Sequence, residues 1–235
     1  MDPVLIFILG VVGVAVVGGL SWYFAKKRRE AFALFARSHG MTYSRHDPYG
    51  TVDLPFRLFT MGQGRKVENV LSGEWRGSPV RAFDYWYYTE STDSKGNRTK
   101  TYYRHTCALL EIEAAFPPLA ITRENVFTRM ADGLGFRDIE FESPEFNKRF
   151  QVKAKDRHFA YAFIDGGMMK WLLGLPRKWQ FEVVGAWILA YERKRMKPEE
   201  FPPLIEMALA FRQQVPRAAL SLYGQGVETS REERA

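Results

Sequence analysis

Residues 67–89, VENVLSGEWRGSPVRAFDYWYYT, contain the pattern that decides the fold. Two stretches rich in aliphatic and aromatic residues, 67–75 and 80–89, flank the turn-forming sequence Arg-Gly-Ser-Pro, which is typical of a β-hairpin. Aromatic residues alternate between the two faces of the second strand: Phe83, Tyr85 and Tyr87 on one, Trp86 and Tyr88 on the other. A strand with large side chains on both faces is expected at the centre of a sheet.

The rest of the chain extends this hairpin into a larger sheet. Further strands are predicted at residues 41–44, 102–113, 119–122, 138–142, 150–153, 179–184 and 187–192, with a polar loop at 90–101. Pro117 and Pro118 are predicted to interrupt the sheet, which would make 119–122 an edge strand. Asp156 is expected to cap a helix over residues 156–173, with a break or bend at Gly166-Gly167. A last helix is predicted from Pro198 to Val215.

These elements predict one α+β domain, a mainly antiparallel sheet of about six to eight short strands packed by two helices and preceded by an N-terminal transmembrane helix. We expect four regions along the chain: a transmembrane anchor (1–25), a juxtamembrane basic helix (26–40), a soluble α+β domain (41–216) and a polar tail that is disordered at its end (217–235).

Residues 4–24 contain no charged side chain, and a helix of this length matches the hydrocarbon core of a bilayer. A cleavable signal peptide fits less well, because Asp2 is the charged residue ahead of the run and the cations follow it. Those cations, Lys26, Lys27, Arg28 and Arg29, place the N-terminus outside the plasma membrane and the domain in the cytosol. We read the span and residues 26–40 as one helix, with Phe32 and Phe35 contacting the domain.

Ala15 and Gly19 have the spacing of small residues that lets a second helix approach closely. A homodimer through the anchor is therefore one predicted association.

The net charge and the cysteine content limit the binding partners and metal sites that the sequence allows. The 235 residues carry a formal charge of +7 and one cysteine, which excludes an internal disulfide and a cysteine-rich zinc site. A basic soluble protein would suggest nucleic acid, but beside a membrane the simpler partner is anionic lipid. We rank nucleic acid below lipid, since it would require basic residues and exposed aromatic residues on a shared face.

Three stretches resemble a family of bacterial membrane-anchored proteins, found especially in actinobacteria, that carry a domain of unknown function. They are NVLSG at 69–73, GSPVRAFDY at 77–85 and IEFESPEFNKRFQV at 139–152, and the similarity continues through residues 160–172. The resemblance implies a membrane-tethered cytosolic domain, and it transfers no catalytic residue.

No pattern of residues indicates catalysis, a cofactor or a metal site. His39, His46, His105 and His158 lack the spacing of a metal-binding helix, although His105 and Cys107 are expected on one strand face. Asp84 is expected to need a buried partner, for which Arg81 and Arg104 are the candidates. Alternation places Glu140 and Glu142 on the wet face of a strand, and Glu145 follows them. We therefore predict no catalytic, cofactor or metal residues and favour a non-catalytic role.

The basic residues are the candidate binding site. If the run at 193–197 faces the bilayer beside the cations at 26–29, the domain would contact anionic lipid through Lys26, Lys27, Arg28, Arg29, Arg193, Lys194, Arg195 and Lys197. The predicted function is a membrane-anchored binding or scaffolding module for a protein or anionic lipid. The alternative is a membrane-tethered enzyme whose site is assembled from distant residues.

Overall fold

The computed structural model describes residues 3–123, 135–175 and 179–224. Seven strands form one mainly antiparallel sheet: β1 (Thr42–Ser44), β2 (Gln63–Trp75), β3 (Ser78–Thr92), β4 (Arg98–Arg123), β5 (Arg137–Ile139), β6 (Phe150–Ala154) and β7 (Gln180–Glu192). Six helices accompany it: α1 (Pro3–Ser38), α2 (Pro144–Arg149), α3 (Arg157–Phe163), α4 (Gly166–Gly174), α5 (Phe201–Gln213) and α6 (Arg217–Tyr223). The predicted α+β class with a mainly antiparallel sheet is confirmed.

The predicted hairpin is present, and its turn is tighter than expected. Only Arg76 and Gly77 separate β2 from β3, and both have positive φ (50° and 73°), as in the two-residue turns that match strand twist. β3 pairs with β2 on one side and with β4 on the other, so its predicted central position is confirmed. β3 and β4 also extend into the predicted loop at 90–101, which leaves a connection of five residues, 93–97.

β4 is the longest strand and the one that organises the sheet. Its first half pairs with β3 and its second half with β6, while β7 pairs along the opposite edge. The prediction that Pro117 and Pro118 interrupt the strand is wrong, as is the prediction of an edge strand at 119–122. The prolines lie within a shift of the β4–β7 register between Phe116 and Leu119, where a missing N–H breaks no regular ladder.

Other local predictions also need correction. β5 ends at Ile139 rather than 142, because Ser143 caps α2 by accepting a hydrogen bond from the Phe146 N–H. The break expected at Gly166-Gly167 within the predicted helix 156–173 is confirmed: α3 ends at Phe163, and Asp165 caps α4 by accepting from the Met168 N–H. Asp156 does cap the first of them, as predicted.

The C-terminal third differs from the prediction at two further places. The two predicted strands at 179–192 are one strand, β7, bent at Gly185, where φ is 56°. The first residues of the predicted tail form α6, in which Ala219 is buried. The predicted disorder at the end of the tail falls on residues 225–235, outside the described part of the chain.

The sheet separates two apolar cores. On one face, strand residues such as Ala82 and Ala108 pack against the C-terminal part of α1 and against the later helices. Phe181 of β7 stacks on Phe211 of α5 with ring centroids 4.2 Å apart. More helices cover this face than the two that were predicted. We call it the helix face of the sheet.

The opposite face is covered by the irregular segment 51–61. Phe56, Leu58 and Phe59 are buried there against Phe83 and Tyr85 of β3. The burial of Phe83, Tyr85 and Tyr87 on one face agrees with the predicted alternation of β3.

α1 joins the domain through its C-terminal part. Phe32 is fully buried and Phe35 nearly so, as predicted, and Phe32 packs edge-on against Phe201 of α5. At the end of the helix, His39 stacks on Trp75 with centroids 5.4 Å apart. Across the residues that the structure describes, no helix is both long enough and apolar enough to cross a membrane.

Candidate functional site

A buried ion pair connects α1 to the centre of the sheet. Asp84 of β3 is 3% exposed, and its carboxylate accepts hydrogen bonds from Arg28 of α1: Nη2 donates to Oδ1 at 2.9 Å and to Oδ2 at 2.8 Å, and Nε donates to Oδ2 at 3.2 Å. The guanidinium also lies over the ring of Phe32, with its carbon 4.9 Å from the centroid. Arg28 is therefore held from two sides at the point where α1 meets the sheet.

A bulge in β2 supplies the second partner of Asp84. The register of β2 against β3 shifts between Glu68 and Leu71, and Asn69 within the bulge has a φ of 54°, a conformation that asparagine tolerates better than most residues. Its side chain donates to Asp84 Oδ2 at 2.9 Å and accepts a hydrogen bond from the Tyr43 hydroxyl at 2.9 Å. The bulge thus aims a polar side chain into an otherwise apolar face.

The loop after β7 contacts both members of the ion pair. The Met196 carbonyl accepts a hydrogen bond from Arg28 Nη2 at 2.6 Å, and Arg195 Nε lies 3.7 Å from Asp84 Oδ2. Thr106, directly opposite Asp84 on β4, holds this loop by donating to the Lys194 carbonyl and accepting from the Met196 N–H. We call Arg28, Asn69, Asp84, Arg195 and Met196 the Asp84 junction.

Two opposing effects act on the pKa of the Asp84 carboxyl group. Burial raises the pKa of Asp84 above its usual value, while the Arg28 guanidinium and the Asn69 amide act to lower it. A buried carboxylate is stable when it is both paired and hydrogen-bonded, and here both oxygens accept bonds from the protein. The arrangement is suited to holding elements together rather than to accepting a proton from a substrate.

A cleft of about 230 Å³ opens beside the junction. Its lining includes Glu68, Asp84, Trp86, Tyr102, Arg104 and Arg195. The cleft contains charges of both signs, and Arg195 lies 3.6 Å from Glu68. Buried and exposed polar groups converge in this cleft beside aromatic rings.

The prediction that Arg81 or Arg104 is the partner of Asp84 is wrong. Arg81 points to the opposite face of the sheet, where its guanidinium lies 4.2 Å from the Tyr49 ring centroid. Arg104 lies over the ring of Tyr102 instead. Sequence reasoning missed Arg28, which is 56 residues away along the chain, and Asn69, which reaches Asp84 through the bulge in β2.

A second buried carboxylate lies in the other core. Glu182 of β7 accepts hydrogen bonds from the Leu58 N–H at 3.1 and 3.2 Å and from the Tyr191 hydroxyl at 3.0 Å. Burial raises its pKa to about 7, against the opposing effect of these bonds and of Arg57. This contact fastens the irregular segment 51–61 to the sheet.

His105 and Cys107 share one strand face, as predicted, and both are buried in the opposite core. The His105 ring lies within 6.0 Å of the rings of Tyr85, Tyr87 and Tyr191, and burial lowers its pKa to about 3. Neither ring nitrogen has a hydrogen-bond partner among the described residues. Within the same residues, no group of three His, Cys, Asp or Glu side chains could hold a metal ion.

The structure brings the two predicted basic runs together, because Arg28 in one touches Met196 in the other. Arg28 is engaged within the protein, which removes it from the predicted lipid contacts. Arg195 is partly engaged, with 41% of its side chain exposed. Of the other predicted residues, Lys26, Lys27, Arg193, Lys194 and Lys197 are exposed and Arg29 is half-buried. Arg193 lies over the ring of Tyr103, 4.8 Å from its centroid.

The carboxylates Glu140, Glu142 and Glu145 are exposed and lie in or beside the turn between β5 and α2. They do not converge on a pocket with the Asp84 junction. Glu140 and Glu142 were expected on the solvent-exposed face of a strand. They lie in the turn instead, because β5 ends earlier than predicted.

The fold defines this protein as an α+β domain built on a seven-stranded sheet and joined to a long N-terminal helix. No family model and no curated protein sequence matches the chain. Among solved structures, it is similar in fold to the crystal structure of the mycobacterial trehalose monomycolate transport factor A, TtfA. The TM-score is 0.58 at 13% identity, over 80% of this chain and 93% of that one. At this identity the similarity concerns the fold alone. TtfA comes from an actinobacterium, and the family that the sequence resembles is found especially in actinobacteria.

Proposed function

We propose that this protein is a single-pass membrane protein whose α+β domain is a binding or scaffolding module on the cytosolic face of the plasma membrane. The observation that carries the proposal is α1, one unbroken helix whose C-terminal part is buried in the domain. Its preceding part exposes large apolar side chains, including Phe7 at 72%, Val17 at 64% and Trp22 at 62%. Such exposure is unfavourable in water and favourable in lipid.

The anchor is proposed to cover residues 4–24, in which no charged side chain occurs. Trp22 and Tyr23 precede the cations, which is where amphipathic rings prefer the membrane interface. The cations at 26–29 support a cytosolic position for the domain. A homodimer through Ala15 and Gly19 stays a prediction.

The scaffolding part of the proposal rests on what the junction does chemically. The carboxylate of Asp84 is saturated by Arg28 and Asn69, so this buried polar group in the lining of the cleft serves to hold α1 against the sheet. TtfA is named as a transport factor, and a non-catalytic, membrane-associated role for this chain is compatible with that name. The cleft beside Asp84 is the observation that favours the alternative, a membrane-tethered enzyme.

Membrane extraction tests the anchor. Val16→Lys with Val17→Lys places two charges in the proposed span, each unfavourable by about 3 kcal/mol at its centre, and should release the protein from alkali-washed membranes. Leu34→Lys is the matched control, since Leu34 is 69% exposed on the same helix but outside the span. Retention of the double variant in membranes would refute the anchor.

Crosslinking in intact cells tests the module. The full chain is compared with one whose residues 4–24 are replaced by an unrelated span, and recovered proteins are identified by mass spectrometry. A protein partner held by both supports scaffolding by the domain. Recovery of no partner, together with turnover of a metabolite that Asp84→Asn abolishes, would replace the module with the enzyme.

A further inference from the structure

The β3–β4 hairpin extends beyond the rest of the sheet as a two-stranded ribbon. The pairing of β2 with β3 ends at Tyr88, and the pairing of β7 with β4 ends at Thr106. From Thr89 to Thr101 the two strands therefore pair only with each other among the described residues. Residues 89–101 contain no aromatic side chain, and the aromatic residues Trp86, Tyr88 and Tyr102 lie at the base of the ribbon, where it leaves the sheet.

One face of the ribbon and its base carries cations and aromatic rings together. The directly opposed pairs on it are Trp86 with Arg104, Tyr88 with Tyr102, Glu90 with Lys100 and Thr92 with Arg98. Lys100 Nζ lies 4.3 Å from the Tyr88 centroid, and the Tyr88 and Tyr102 rings lie 5.6 Å apart. We call Trp86, Tyr88, Arg98, Lys100, Tyr102 and Arg104 the ribbon stripe.

The ribbon stripe is on the same face as the Asp84 junction. Asp84 precedes Trp86 by two residues on β3, so their side chains leave the strand on one side, the side on which Arg28 of α1 lies. The stripe contains three cations, and the one anion among these opposed pairs is Glu90. Lys100 Nζ lies 3.2 Å from Glu90 Oε1, so three cations against one anion leave this face with an excess of positive charge beside its aromatic rings.

α1 and the ribbon leave the domain at the same end. His39 stacks on Trp75 at the β2–β3 turn, whereas Arg28 reaches Asp84 further along β3 toward the ribbon. α1 therefore runs antiparallel to β3, and its apolar N-terminal part projects past the end of the sheet from which the ribbon also projects.

We propose that the ribbon stripe lies on the surface of an anionic bilayer, as a second membrane contact beside the anchor. Tyrosine and tryptophan rings prefer the headgroup region, and Lys and Arg there are attracted to anionic lipid. This inference rests on the proposed anchoring of α1, which brings the stripe to the bilayer. It adds a specific surface, because the residues concerned lie outside both basic runs.

Nucleic acid is the other polyanion that a cationic and aromatic ribbon could bind. The membrane is favoured because the stripe faces the side of the domain from which the apolar part of α1 emerges. A bilayer that holds α1 would also order the stripe without any further partner.

Fluorescence from two labelled positions tests the proposal in the full chain. Ser94→Cys at the ribbon tip and Arg76→Cys at the opposite end of β3, about 60 Å away along the strand, each carry an environment-sensitive label. The native Cys107 is buried and should not be labelled. The protein is reconstituted in phosphatidylglycerol–phosphatidylcholine vesicles that contain a headgroup quencher. We expect strong quenching at position 94 and little at 76.

Charge neutralisation supplies the second measurement. Arg98→Gln with Lys100→Gln should weaken association of the ribbon with the surface about tenfold, seen as lost quenching at 94. Lys148→Gln with Lys170→Gln is the matched control, since both lysines are exposed on the short helices α2 and α4. Raising the salt concentration should mimic the first pair.

The outcomes separate this proposal from the anchor. Vesicle-bound protein with equal quenching at 94 and 76 would overturn the ribbon contact and leave the anchor intact. Protein that does not float with vesicles would overturn the anchor and the ribbon contact together. Equal quenching combined with binding of a single-stranded oligonucleotide that needs Arg98 and Lys100 would assign the stripe to nucleic acid instead.

Discussion

Arg28 and Asp84 form a bidentate ion pair across 56 residues of sequence, with Nη2 2.9 and 2.8 Å from the two carboxylate oxygens. The pair joins the base of the N-terminal helix to the central strand of the sheet. Because the carboxylate is almost fully buried, its stability depends on a residue in the basic run at 26–29.

Loss of the arginine should therefore be strongly destabilising. Arg28→Ala leaves the Asp84 charge buried without its main partner, and the free energy of unfolding should fall by about 3 kcal/mol. Lys27→Ala, which alters an exposed neighbour, should change it by less than about 0.5 kcal/mol. Urea unfolding of a chain beginning at Ala25 measures both. Equal losses from the two variants would contradict a specific role for Arg28.

The starting point of a truncated chain should matter for the same reason. A chain that begins at Glu30 keeps Phe32 and Phe35 but lacks Arg28, so we expect it to be less stable than one beginning at Ala25 by about 3 kcal/mol. Asp84→Asn should recover part of the loss in the shorter chain, since it removes the unpaired charge. Equal melting temperatures for the two chains would refute this expectation.

Stability should fall with rising pH through the titration of Glu182. Its pKa is raised from 4.5 to about 7 in the folded protein, so the folded state binds more protons than the unfolded state between these values. The stability lost on going from pH 4.5 to 7 is about 3 kcal/mol for this group alone. Glu182→Gln should flatten this slope, while Glu74→Gln, at an exposed position, should leave it. Denaturant titrations at several pH values provide the measurement.

Two glycines with the same backbone conformation should differ in tolerance. Gly62 and Gly40 have φ of 60° and 65°, but a Cβ at Gly62 would lie 2.6 Å from the Tyr88 carbonyl oxygen, whereas nothing lies within 4 Å at Gly40. Gly40→Ala should lower stability by about 1 kcal/mol from backbone strain alone. Gly62→Ala should lower it by at least about twice as much. Similar thermal shifts for the two would show that the space at Gly62 is not limiting.

Binding to anionic vesicles should depend on the exposed cations around the Asp84 junction. Reversing the charges of Arg193, Lys194 and Lys197 in the chain beginning at Ala25 should weaken binding by about 100-fold or more at low salt. Arg28 and Arg195 are left unchanged, because they engage Asp84. Reversal of Lys148, Lys155 and Lys170 is the control with equal change in net charge. Vesicle flotation that responds equally to both sets would attribute binding to net charge alone.

The sequence predicts local pairing well where its alternation is regular. The β2–β3 hairpin, the central position of β3 and the burial of Phe32 and Phe35 all follow from residue spacing. The cap at Asp156 was predictable for the same reason, since a capping side chain bonds to a backbone N–H three residues away.

Features that depend on distant contacts could not be read from spacing. The partner of Asp84 was sought on the same and the neighbouring strand, and it lies on α1 instead. The strand β4 continues through Pro117 and Pro118 because its partners change there, which no local pattern reveals. Asn69 offered one signal, since asparagine within a strand pattern favours positive φ, but the bulge requires knowledge of the register.

The uninterrupted course of α1 from Pro3 to Ser38 determines how the domain can be presented. A flexible tether would let the domain sample a wide volume, whereas a continuous helix acts as a rigid stalk. With a rise of about 1.5 Å per residue, Arg28 stands only about 6 Å beyond Phe24 along that stalk. Rotation or tilt of the stalk would be transmitted to the sheet through the Arg28–Asp84 ion pair. A protein that binds the helix would therefore reorient the whole domain.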